Sequence, residues 1–414
     1  MRGERRTPVR WLGRVRITAG LAGPVLLGVG VFSPALLPTA AAEPAFPDVP
    51  PGTWVELPGT RLRSVLWRDG AGKTLSALKG SGSPSSIMSA WNGAAYDDAR
   101  DLLFILAAGG DSDYAGNEVY TFDLRAQRWR REFEPTVDLI PYLQRTGPQA
   151  SDPRSTATPP SRYTSGNDVY PASRHTYNGL TYMPTVNKTW VAGGSRWWAG
   201  AEIIDVFLWD HPAKRWEYLA RDPLPAYFLG IVSTWDSVRS RVLYHDAGRL
   251  RAFDPSAPPG SRHSALDDGQ QPSDTANRFY TALFDPQRRR FVMAGPRGLF
   301  HYDFAVEREG QLKRRSSSLS GVPWPRFYAP GFVYDPVGDR YAAYGGGSTV
   351  YFVDPGTGAV TAEAGGGAPM TPAQPNGTFG RFRFSRQHGV FLVVNAIDEN
   401  VRLYRPLARA RPAR

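Results

Sequence analysis

Four arginines recur beside an aromatic or imidazole ring, as Arg174-His175, Arg278-Phe279, Arg326-Phe327 and Arg381-Phe382. A guanidinium is a planar fork of donors that matches a carboxylate, so four around one opening would hold an anion. The same four could instead tie neighbouring segments together through carboxylates or carbonyls. A second constellation is Asp111, Asp113, Asn117 and Glu118, with Tyr114 among them. Its spacing partly matches a calcium loop, and such residues are also ordinary turn-formers. A third is Arg196-Trp197-Trp198 in a glycine-flanked loop. Paired indoles there would stack the face of a sugar ring, or would pack beneath an insertion. Glu118 and His175 are the side chains placed to serve as acid or base if sugar chemistry occurs.

Other chemistry is excluded or thinly supported. The chain has 414 residues and no Cys, which removes disulfides, Cys-ligated metals and thiol nucleophiles. The six His are spread over different loops, and only His175, His245 and His263 are candidates for one face. Net charge is +11, but six Arg and one Glu fall in the first sixteen residues, and the remaining Arg are scattered, so no basic stripe supports nucleic-acid binding. Sialidase-type Asp boxes are absent.

The elements that must position these residues show themselves as a repeat. An aromatic or apolar residue, then Asp or a turn residue, recurs at Tyr96-Asp97, Met183-Pro184, Trp235-Asp236, Phe284-Asp285, Tyr334-Asp335 and Phe384-Ser385. After each comes an alternating apolar run: VYTFD, VFLWD, LRAFD, LFHYD, VYFVD and finally VRLYR. Each unit reads as four short strands, and a unit near 50 residues cannot bury both faces alone. Radial stacking of six such units solves this, giving an all-β, six-bladed β-propeller. The sixth unit lacks a last strand, and Thr53-Trp54-Val55-Glu56-Leu57 is expected to supply it beside Val401–Tyr404 and close the ring.

With the double glycines Gly109-Gly110, Gly193-Gly194 and Gly345-Gly346, and Trp129 and Trp216 six residues beyond Asp123 and Asp210, the chain resembles the kelch-repeat family, including the central propeller of galactose-oxidase-like proteins. The segment Gly109 to Leu124 is similar to exported bacterial kelch proteins of unassigned role. Copper-radical oxidation, which needs a Tyr–Cys crosslink, is excluded for a chain without Cys. The loops between second and third strands share one face with the connections entering each blade. That face carries the insertions Asp111–Glu118 and Ser195–Glu202 and a long one at about residues 133–171, whose Tyr142, Tyr163 and Tyr170 are expected to cover the channel mouth. Long loops on a rigid scaffold are where binding concentrates.

The expected ligand is a glycan, acidic sugars included, or an extracytoplasmic protein; the alternative is a sugar-modifying enzyme such as a mutarotase or lyase. No cofactor is expected, and a monomer is. Residues 1–42 read as an export signal: six Arg, then 26 uncharged residues from Ile17 to Ala42 ending in Ala40-Ala41-Ala42. That segment, if uncleaved, is long enough to span a bilayer. With cleavage after Ala42 the mature chain, residues 43–414, is expected as a single secreted, periplasmic or cell-surface domain with no membrane span.

Overall fold

A computed structural model describes residues 44–408, apart from 78–80, 112, 137–161, 166–167, 198–199, 201, 227–228, 247 and 270–278. Residues 1–42, read above as an export signal, lie outside this set, as do Tyr142, Trp198 and Arg278.

The turn at each Asp anchor explains the repeat. The Asp97 carboxylate accepts the backbone N–H groups of Ala99 and Arg100. Asp236, Asp285 and Asp335 do the same two and three residues onward. Such Asx turns reverse the chain tightly. The residue closing each turn is left-handed, at φ 46° to 61°, in Asp101, Asn187, Ser240, Arg289, Asp339 and Gly389. That conformation restores the register of the returning strand. The pairing of Met183 with Lys188 corrects the second anchor by one residue: Tyr182 holds the aromatic place and Met183 the Asp place.

Six blade sheets result, each built on antiparallel strands, with Ser320–Gly321 and Gly366–Gly367 added in parallel at the outer edges of blades 5 and 6. Blade 1 runs Ala95–Asp97, Leu102–Leu106, Val119–Asp123 and Arg128–Phe133. Blade 2 runs Leu180–Met183, Lys188–Ala192, Val206–Asp210 and Arg215–Tyr218. Blades 3, 4 and 5 have innermost strands Val232–Asp236, Thr281–Asp285 and Gly331–Asp335. Blade 6 joins Phe382–Ser385, Val390–Val393 and Arg402–Arg405 to Thr53–Glu56 from the far end of the chain. The closing pairs are Thr53 with Arg405, Trp54 with Tyr404, Val55 with Leu403 and Glu56 with Arg402. The protein is therefore a six-bladed β-propeller with the ring closed by its N-terminal strand.

Strand alternation builds the core between blades rather than within them. Leu103, Ile105, Tyr120 and Phe122 of blade 1 pack against Val390, Leu392, Val401 and Leu403 of blade 6. Phe104 and Leu106, on the opposite face, pack against Val191, Phe207 and Trp209 of blade 2. Blades 2 and 3, 3 and 4, 4 and 5, and 5 and 6 are joined in the same way. Each buried Leu, Val or Phe contributes about 1.5–3 kcal/mol relative to exposure, so every blade depends on both neighbours. Charges on the turn face reinforce this: Arg288 bridges Asp285 and Asp339, and the Tyr341 hydroxyl donates to Asp285 at 2.8 Å.

The described part of the long insertion is a hairpin, Arg162–Ser165 with Asp168–Pro171. Tyr170 was expected over the channel mouth. Instead its ring packs 5.6 Å from that of Phe133 at the outer strand of blade 1, and Arg162 pairs with Asp205 of blade 2 at 3.2 Å. The hairpin thus seals the outer seam between blades 1 and 2.

Candidate functional site

The loop-rich face is organised by the segment entering blade 2. Arg174-His175 runs antiparallel to Ser195-Arg196 and is clasped by two glycine pairs. A side chain on Gly110 would lie 2.2 Å from the His175 nitrogen, and one on Gly194 would lie 2.2 Å from the His175 carbonyl oxygen; both residues have positive φ. The double glycines are therefore required where the backbone enters the next blade. Gly345 serves likewise, with the Phe327 ring 2.2 Å from where its Cβ would stand.

Held in this clasp, the His175 ring bonds Asp113 (Nε2 to Oδ2, 2.7 Å). The imidazole is buried and the Asp113 carboxylate is 40% exposed. The Trp91 ring lies 5.1 Å from His175, and the Trp91 Nε1 donates to the Tyr328 hydroxyl at 3.0 Å. Tyr328, 39% exposed, lies 4.4 Å from the ring of Phe279. Trp91, Phe279 and Tyr328 belong to the connections entering blades 1, 4 and 5, so Asp113, His175, Trp91, Tyr328 and Phe279 form one row across the channel mouth.

Beneath the row, Tyr177, Ala329 and Phe379 form a buried apolar cluster with Trp91 and Leu229 against it. They enter blades 2, 5 and 6, and blades 2 and 5 stand opposite each other, so this cluster plugs the channel. All three are left-handed, with φ of +46°, +45° and +49°. For Tyr and Phe this conformation costs of order 1–3 kcal/mol each, and it is held by the hydrogen bonds of Tyr177 N to Trp91 O and Phe379 N to Ala329 O.

The four recurring arginines separate into different roles. Arg174 and Arg381 are fully buried. Arg381 donates to the carbonyls of Asn92, Val394, Asn395 and Gly377, and burial lowers its pKa to about 10. Arg174 donates to the carbonyls of Ala172, Gly193 and Asp205, with its guanidinium over the Phe207 ring. Both groups are spent on backbone oxygens inside the fold, which corrects their placement at an open mouth: they are ties. Arg326 is exposed.

The acidic cluster also divides. Asn117 donates to the Thr136 hydroxyl at 2.6 Å and the Pro171 carbonyl at 2.9 Å, holding the base of the insertion. Glu118 is buried under Tyr114, whose hydroxyl donates to it at 2.7 Å. Burial raises the pKa of both groups, the Tyr114 bond opposing the rise in Glu118. Enclosed there, Glu118 cannot touch a ligand on the surface, and Asp113 is the member of this set that bonds His175. Asp111 is exposed and its N–H donates to the Arg196 carbonyl. Among the described residues no group of three or more acidic or imidazole side chains is arranged to hold a metal ion. Trp197 is buried in the core shared by blades 1 and 6, so it packs and does not present an open indole. Half-buried Arg196 remains at the rim. His245 is buried against the Tyr302 hydroxyl, and His263 bonds Tyr244, so neither joins His175.

Trp91, Tyr328 and Tyr177 were not foreseen. Their common place, within a few residues before an innermost strand, was the available signal.

The fold defines the class, a six-bladed β-propeller with one elaborated face. Solved structures with a similar arrangement include an auxiliary nutrient binding protein from Bacteroides ovatus, 11% identical, covering 85% of this chain and 76% of that one, with a TM-score of 0.47. Another, from Bacteroides thetaiotaomicron, is 9% identical and covers 76% and 69%, with a TM-score of 0.44. A chain of the mitotic checkpoint complex is 10% identical and covers 92% and 100%, with a TM-score of 0.40. No family model matches the chain, and no curated protein does.

Proposed function

We propose that this is an exported, kelch-like binding propeller that takes a glycan on its loop-rich face. The observation that carries this is the row of rings across the plugged mouth. Trp91, Tyr328 and Phe279 offer apolar faces on which a pyranose packs, and Asp113 at one end offers carboxylate oxygens to sugar hydroxyls. Arg326, two residues before Tyr328, and Arg196 supply cations for an acidic sugar. With Glu118 enclosed, binding is favoured over acid–base chemistry. Residues 1–42 serve as the export signal, and among the described residues no helix is long and apolar enough to cross a membrane.

A glycan array probed with residues 43–414, acidic oligosaccharides included, tests the reading. Hits that are lost in Trp91→Ala support it. A blank array, with a protein captured from the cell envelope in a Trp91-dependent way, would replace the glycan by a protein ligand.

A further inference from the structure

The channel is closed at the loop-rich face by Tyr177, Ala329 and Phe379 and is open at the other. A cavity of about 200 Å³ runs up it from the turn face, lined by residues of the innermost strands and of the turns that follow them, Asp98, Ser237, Pro286, Pro336 and Arg386. It is a blind well with its own mouth, distinct from the ring row above the plug.

One register position of the innermost strands is occupied by Ala95, Thr181, Thr234, Leu283, Val333 and Arg383, and Arg383 is the cation among them. Its Nε donates to Gly380 O at 2.8 Å and its Nη2 to Ala94 O at 2.7 Å. Both carbonyls precede innermost strands on the plugged side, so the guanidinium is fixed at the inner end of the well. Among the described residues no carboxylate lies within ion-pair distance of it. Asp98 acts on it from further away and is paired at 2.9 Å with Arg386 on the rim. Among the described residues, the hydrogen bonds of Arg383 run through Nε and Nη2, and neither its Nη1 group nor the Thr234 hydroxyl, also lining the well, is bonded to a protein group. The charges lining the well sum to one excess positive charge, and its walls include Trp235, Phe284, Phe332 and Val333. A half-buried cation anchored by two carbonyls and lining a cavity of mixed apolar and hydroxyl character is complementary to a carboxylate on a small apolar body.

We infer that the turn-face well is a second binding site, for a small organic carboxylate whose oxygens meet Arg383 and Thr234. The site is independent of the glycan reading, since it opens on the opposite face and uses none of the same residues. Removing one charge-assisted hydrogen bond weakens binding roughly tenfold or more.

The test uses sodium benzoate, with neutral benzamide as its isosteric control, in saturation-transfer NMR against residues 43–414 at constant ionic strength. The expected result is saturable benzoate binding, with benzamide at least roughly tenfold weaker. Arg383→Met should lower the melting temperature, since the Gly380 and Ala94 carbonyls lose their donor, and should abolish the benzoate signal at temperatures where the variant is fully folded, and Thr234→Val should weaken it severalfold at an unchanged melting temperature. If Arg383→Met does not fold, Arg383→Lys, which keeps the charge and loses the fork, takes its place beside Thr234→Val. Absence of saturable benzoate binding to the unaltered protein, equal binding of benzamide, or binding unchanged in the folded variants would overturn the assignment.

Discussion

Replacing Trp54 by Ala should loosen the whole ring, although the residue lies at the edge of the folded chain. Trp54 is buried to 1% exposure, packs 4.9 Å from the Tyr404 ring and 5.5 Å from the Tyr344 ring, and donates its indole N–H to Ser348 O at 2.9 Å. It thus ties the closing strand to both blade 6 and blade 5. Truncation of a core Trp to Ala costs about 3–5 kcal/mol, and the stranded Ser348 carbonyl keeps the value in the upper half of that range. With an unfolding entropy of about 2.1 cal/mol/K per residue over roughly 370 residues, 4 kcal/mol corresponds to a fall in Tm of about 5 °C. Thermal unfolding followed by circular dichroism reads this directly. Because the chain has no Cys, the register can be checked in the same experiment: Val55→Cys with Leu403→Cys, direct partners across the closing pair, should crosslink on oxidation and raise the Tm. A shift below about 1 °C for Trp54→Ala, or no crosslink between the partner cysteines, would refute ring closure by this strand.

Arg381→Met should lower stability by about 2–5 kcal/mol, because four backbone carbonyls lose their donor, and Arg174→Met should do so less severely; equal melting to the unaltered protein would contradict their role as ties. Exposed Arg326→Met should leave the Tm unchanged and weaken binding of an acidic glycan, with the difference shrinking as salt is raised. Burial lowers the pKa of His211 to about 4 and of His245 to about 3, so both stay neutral in the fold while the unfolded chain takes up protons below about 6.5. Stability should therefore fall as pH drops from about 7 to about 4, by up to about 1.4 kcal/mol per group per pH unit, and His211→Gln with His245→Gln should flatten the profile; an unaltered slope in the double variant would contradict this.

Much of the architecture was legible because it rests on short-range chemistry repeated six times. The Asp97, Asp236, Asp285 and Asp335 turns announce themselves by residue type, and the alternating runs that follow state which faces are buried. The missing last strand of the sixth unit could be matched to Trp54 because Thr53-Trp54-Val55-Glu56-Leu57 looks like Arg215-Trp216-Glu217-Tyr218-Leu219, the last strand of the second unit. The site was less legible. Arg174, Arg326 and Arg381 look alike in sequence, and what separates them is whether a later loop folds back to offer carbonyls: Val394 and Asn395 do so for Arg381, and Gly193 for Arg174. Glu118 looked available until the Tyr114 ring closed over it. The second anchor slipped by one residue because Pro184 stands where an Asp was sought, and only the pairing of Met183 with Lys188 sets it right. The plug at Tyr177, Ala329 and Phe379 depends on left-handed backbone at residues that give no local sign of it. The well below it depends on Arg383 sharing a register with Leu283 and Val333, which only the assembled ring brings together.

A ligand lying across the ring row on the loop-rich face, as proposed, would shield the backbone beneath it. Hydrogen exchange of residues 43–414, with and without a saturating array-positive oligosaccharide, tests this most directly. Slowed exchange is expected in the segments around Trp91, His175 and Tyr328, with the turn-face loops at Asp98, Pro286 and Pro336 unchanged. Protection confined to the turn face or to the outer strands of the blades would contradict it.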